Sequence, residues 1–74
     1  MLMQEKNIYR SICLLSCAKN GYISIKKAEK KLGWSKQKVI GVGNLLVTKG
    51  ILTQDHRTIL NGYSRLNGYY ITSF

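Results

Sequence analysis

The 74 residues carry twelve Lys/Arg against three Asp/Glu, a net charge of +9 at pH 7. A chain this short makes one domain, residues 1–74, with a small core, and its 45% hydrophobic content is too high for wholesale disorder. The charge excess points to a polyanionic partner: DNA, RNA or an anionic membrane surface. No apolar run approaches the roughly 18 residues that span a bilayer, so no membrane-spanning segment is expected, and of these partners nucleic acid is expected rather than a membrane. The N-terminus, Met1-Leu2-Met3-Gln4-Glu5-Lys6, lacks the basic-then-apolar pattern of a signal peptide. Two cysteines make no disulfide scaffold, and a reducing, cytoplasmic location is expected.

In chain order, Gln4 to Lys19 reads as a first helix. Ile8, Ile12, Leu15 and Lys19 mark one side, and Tyr9, Cys13, Leu14 and Ala18 widen the apolar band. Asn20-Gly21 is a turn and helix-stop signal. Tyr22-Ile23-Ser24 is an extended bridge, with Ser24 placed to cap a second helix. That short helix is predicted over Ile25 to Leu32, with Ile25, Ala28 and Leu32 inward. Lys26, Lys27, Lys30 and Lys31 then point outward, with Glu29 as the one acid. Gly33 stops that helix, and Trp34 is an apolar plug before the next.

The third helix is the most defined stretch. Ser35 is an N-cap, because its hydroxyl can accept from a free first-turn N–H. Val39, Val42 and Leu46 form an apolar face at helical spacing. Gly50 supplies the left-handed residue that ends many helices. On the opposite face, Gln37, Gly41, Asn44 and Thr48 fall on one line at about 100° per residue. None is charged or large and apolar. Gln and Asn side chains are suited to bidentate contacts with adenine in a major groove; an ordinary solvated face is the plainer reading of the same residues. Gly41 and Gly43 together cost this helix about 2 kcal/mol of intrinsic propensity relative to alanine. On one reading Gly43 allows close packing on the first helix and Gly41 close approach to a base edge or phosphate; on the other, both are tolerated weaknesses of the helix.

Beyond Leu52 the pattern becomes a β-ribbon. Asn61-Gly62 and Asn67-Gly68 read as two turns within it, because Asn-Gly is the commonest tight hairpin dipeptide. Tyr69 to Thr72 is the closing strand, expected to pair with Ile51 to Gln54.

This order resembles the winged helix-turn-helix superfamily over nearly the whole chain. The resemblance rests on Ser35, Val39, Leu46, Gly50, Ile51 and Leu52, and on the returning strand Gly68-Tyr69-Tyr70-Ile71-Thr72. It is similar in layout to small stand-alone regulators and to winged modules of phage and plasmid replication proteins. The fold class implied is α+β: three helices and a C-terminal β-ribbon wing. The resemblance implies that helix 35–49 enters a major groove while the wing, 55–67, lies on the backbone or minor groove. Gln37 and Asn44 would then read bases, Ile40 would touch a thymine methyl, and Gly41 and Thr48 would complete the face. Lys26, Lys27, Lys30, Lys36 and Lys38 would contact phosphates, and Arg57 and Arg65 would be the wing cations.

Catalysis and cofactors are not expected. Cys13 and Cys17 share a helix face, but the single histidine, His56, lies far along the chain and completes no metal set. His56 reads as wing surface. The expected role is a duplex DNA-binding transcriptional regulator, with a homodimer formed through the first helix or through Tyr69–Thr72 strand edges as one arrangement. Two other roles fit the residues. One is a sequence-tolerant binder of single- or double-stranded DNA, using the five tyrosines for stacking. The other is a protein-interaction module on the same scaffold.

Overall fold

A computed structural model describes residues 4–58 and 64–72. The elements are α1 (Glu5–Leu15), β1 (Tyr22–Ser24), α2 (Ile25–Leu32), α3 (Lys36–Thr48), β2 (Leu52–Thr58) and β3 (Ser64–Ile71). Helices α2 and α3 pack against an antiparallel sheet ordered β1-β3-β2, and α1 packs on α2 and α3. The fold is a winged helix, with β2 and β3 as the wing.

Local chemistry sets the element ends. Lys19 and Tyr22 exchange backbone hydrogen bonds of 2.9 and 3.1 Å around Asn20 and Gly21. Both central residues have positive φ, 55° and 77°, as a tight primed turn requires. This turn closes before a helix can reach Lys19, so α1 stops at Leu15, four residues short of the expected end. Ser35 accepts from the Lys38 N–H at 3.2 Å and caps α3. At the other end, Gly50 sits at φ 79°. Its N–H reaches the Val47 carbonyl at 3.0 Å, and the Ile51 N–H reaches that of Leu46 at 2.9 Å. These paired bonds satisfy carbonyls that the helix end leaves open, and they aim the chain into β2.

The core is Leu14, Ile23, Ile25, Ala28, Val39, Val42, Leu46, Leu52 and Tyr69. The inward residues of α2 and α3 include those their spacing predicts, with Leu32 half-buried at the core's edge and Gly43 buried in addition. Helix α1 differs: its inward positions are Ser11 and Leu14, while Ile8, Tyr9 and Ile12 are 45%, 70% and 61% exposed. Ser11 tolerates burial because its hydroxyl donates to the Asn7 carbonyl at 2.7 Å. The helix is therefore rolled away from the face that its hydrophobic pattern favours.

Two further expectations are corrected. Asn67-Gly68 is not a turn but lies inside β3, where the register skips a residue: Asp55 pairs with Gly68, and His56 with Leu66. Asn67 is the extra residue of a bulge. Gly68 is needed there because a Cβ would stand 2.3 Å from the Ile23 carbonyl and 2.5 Å from the Tyr22 hydroxyl. Tyr22 thus crosses above Gly68 and donates to Asp55 Oδ2 at 2.7 Å, while Asn67 Nδ2 donates to the Tyr22 hydroxyl. The other expected turn, Asn61-Gly62, lies outside the described residues. Second, β3 is the central strand, paired with β1 on one side and β2 on the other. Its Tyr69–Thr72 segment offers no open edge for pairing with another copy. The expected pairing of this strand with Ile51–Gln54 is present as Leu52↔Ile71, Thr53↔Tyr70 and Gln54↔Tyr69.

Candidate nucleic-acid interface

Helix α3 buries Val39, Val42, Gly43 and Leu46 and leaves Gln37, Gly41, Asn44 and Thr48 exposed along one line. The glycines have different jobs. A Cβ on Gly41 would meet nothing within 4 Å, whereas one on Gly43 would lie 2.3 Å from the Tyr69 ring. Gly43 therefore admits the aromatic side chain of β3, not α1 as its spacing suggests. Tyr69 reaches through this notch toward the far side of α3. Its hydroxyl lies 3.0 Å from Asn44 Oδ1 and 3.3 Å from the Ile40 carbonyl, and donates toward both. Burial pushes the Tyr69 pKa above its ordinary value.

Asn44 is consequently not a free surface amide. Its Oδ1 also accepts from Gln54 Nε2 at 2.8 Å. Gln54 Oε1 in turn lies 3.0 Å from His56 Nε2. A polar chain thus runs from Tyr69 through Asn44 and Gln54 to His56, joining α3 to the base of the wing. The Asn44 carbonyl uses both lone pairs inside the protein, leaving its Nδ2 hydrogens for an outside partner. Thr48 Oγ1 donates to the Asn44 backbone carbonyl at 3.1 Å. Ile40 is half-buried against the core, which commits part of its side chain to packing.

The basic residues are distributed over several places. Lys26 of α2, Lys36 of α3 and Arg65 of β3 converge on a cleft of about 240 Å³, with Glu29 and Asn67 also in its wall. Lys27 faces a different cleft, shared with Lys19 and Cys17. Lys38 sits over Trp34, its Nζ 4.6 Å from the ring centre. It also borders a groove between α1 and α3 with Asn7, Arg10 and Gly41. Lys30 is exposed on α2. Arg57 and Arg65 are direct cross-strand partners in the wing. Trp34 is half-buried against the core, as its place before the cap suggests.

Two contributors, Gln54 and Arg10, are not among the residues the sequence points to, and His56, read as wing surface, gains a partner. Gln54 and His56 follow Leu52 at a period of two, which puts them on the helix side of β2, so alternation is the available signal. Arg10 reaches the α3 groove only through the roll of α1, which no local pattern announces. Cys13 and Cys17 are free thiols, and Cys17 Sγ lies 3.6 Å from the Cys13 carbonyl.

No family model and no curated protein sequence matches the chain. A solved structure does. It is that of a possible transcriptional regulator from Methanosarcina mazei Go1, with a TM-score of 0.66 and 18% identity. The match covers 96% of this chain and 57% of that one, so this chain spans a little over half of the neighbour's length. At that identity the likeness establishes the fold. No helix among the described residues is long and apolar enough to cross a membrane.

Proposed function

We propose that this chain binds duplex DNA as a transcriptional regulator, with α3 in the major groove and the β2–β3 wing on the backbone or minor groove. The observation that carries this reading is the exposed, uncharged line of Gln37, Gly41, Asn44 and Thr48 on a chain of net charge +9, with Arg10 and Lys38 beside Gly41 and with Lys26, Lys36 and Arg65 gathered in a second cleft. Phosphate contacts by Lys26, Lys36 and Arg65 would position the protein; the uncharged line would supply the base contacts. The structural neighbour, a possible transcriptional regulator, agrees in kind.

The tyrosines give less support to a single-strand binder. Tyr69 is core, and Tyr22 is engaged with Asp55 and Asn67. Among the described residues the exposed tyrosines, Tyr9 and Tyr70, stand on different elements, α1 and β3. Selection from random duplex and single-stranded pools, followed by competition between the two forms, tests the proposal. The expected outcome is duplex preference with a recoverable motif and affinity that falls steeply with salt. Preference for single strands overturns the groove-reading model, and absence of nucleic-acid binding at low salt replaces it with the protein-interaction role.

A further inference from the structure

We infer that Gln54 determines the base preference of α3 by holding Asn44 so that it presents hydrogen-bond donors alone. The inference rests on the major-groove reading of α3 under the proposed function. An asparagine reads adenine by offering both ends of its amide: Oδ1 accepts from N6 while Nδ2 donates to N7. Here Oδ1 is taken twice, by Gln54 Nε2 at 2.8 Å and by the Tyr69 hydroxyl at 3.0 Å. Carbonyl oxygen has two lone pairs, so no acceptor capacity is left over. Gln54 is itself held at its other end, with Oε1 3.0 Å from His56 Nε2. When His56 carries its proton on Nε2, rotation of Gln54 to release Asn44 breaks this second bond as well.

The exposed end of Asn44 is then its NH₂ group. Such a group matches a base edge made of acceptors. Guanine, with N7 and O6 side by side, offers two; cytosine offers only a donor in the major groove. Position 44 is thus set to favour guanine and disfavour cytosine, in place of the adenine preference that an unrestrained asparagine would show. Removing Gln54 restores one lone pair to Oδ1, while the Tyr69 bond keeps the side chain in place. Adenine then becomes the better partner.

The test compares the full chain with Gln54→Leu, Asn44→Ala and the double variant. Each is titrated against duplexes carrying every base at each position of the selected site. In the unsubstituted protein one position favours guanine. In Gln54→Leu that same position shifts toward adenine by about tenfold, and the shift vanishes when Asn44 is also alanine. Side-chain amide signals of Asn44 in the free protein report the lost bond independently, and thermal melts confirm that Gln54→Leu is folded. An equal loss of affinity on all duplexes, or a preference shift that survives Asn44→Ala, overturns the inference while leaving groove reading intact. Absence of any base preference in the unsubstituted protein overturns both.

Discussion

At the scale of single residues, the two helical glycines make opposite predictions from one substitution. Gly43→Ala places a methyl group 2.3 Å from the Tyr69 ring, within an aromatic side chain that is itself fully buried. Overpacking of this kind is expected to destabilise by about 1–3 kcal/mol. Gly41→Ala meets no atom within 4 Å and should stabilise the helix by about 0.8–1 kcal/mol. Denaturant melts of both variants check the pair, and equal effects would contradict the Tyr69 notch. Tyr69 adds a pH dependence. Burial raises its pKa above 10.0, so the folded state favours the protonated phenol. That contribution is complete below the ordinary tyrosine value and is lost as pH rises through the higher folded one. Stability is therefore expected to fall at alkaline pH. Comparing melts of the parent protein and Tyr69→Phe across that range isolates the part due to this residue, which should be missing in the variant.

At the scale of elements, α3 is fixed at both ends by local chemistry. Ser35→Ala removes the acceptor for the Lys38 N–H and should cost about 1 kcal/mol, read from a chemical melt. The basic helix α2 is less uniform than its four lysines suggest. Lys26 shares a cleft with Lys36 and Arg65, whereas Lys27 opens onto the cleft with Lys19 on another side. If the first cleft lies on the DNA backbone, Lys26→Ala weakens matched and scrambled duplexes alike and lowers the salt slope by about one. Lys27→Ala should do so less. Titrations at several salt concentrations separate the two, and a sequence-dependent loss for Lys26→Ala would remove it from the phosphate-contacting set.

At the scale of the whole molecule, the sheet is the device that turns a helix surface into a site. Its central strand sends Tyr69 through the Gly43 notch to Asn44, and its neighbour β2 sends Gln54 to the same atom. Helix and wing are therefore coupled by hydrogen bonds as well as by packing. Asn44→Ala is expected to disturb more than base choice, because it leaves Tyr69 with only the more distant Ile40 carbonyl. A loss of about 1–3 kcal/mol in stability, measured by melting, would mark this structural share. The outward face of α1, with Ile8, Tyr9 and Ile12, lies outside the core.

Much of the architecture was legible in the residues. Ser35, Gly33 and Gly50 mark helix limits because capping and left-handed conformations depend on immediate neighbours. The inward faces of α2 and α3 follow from periodicity, since a helix with one apolar stripe has one way to bury it. Asn-Gly shows where such reasoning stops. At Asn20-Gly21 it makes a tight turn, but at Asn67-Gly68 the same dipeptide sits within a strand, because Tyr22 needs the space above the glycine. Helix α1 has apolar residues on two sides, and only docking chose between them. The uncharged line on α3 was likewise written in the sequence. That its asparagine is held from behind by Gln54 and Tyr69 was decided by the tertiary structure, because those partners lie 10 and 25 residues away and meet only when the sheet closes against the helix.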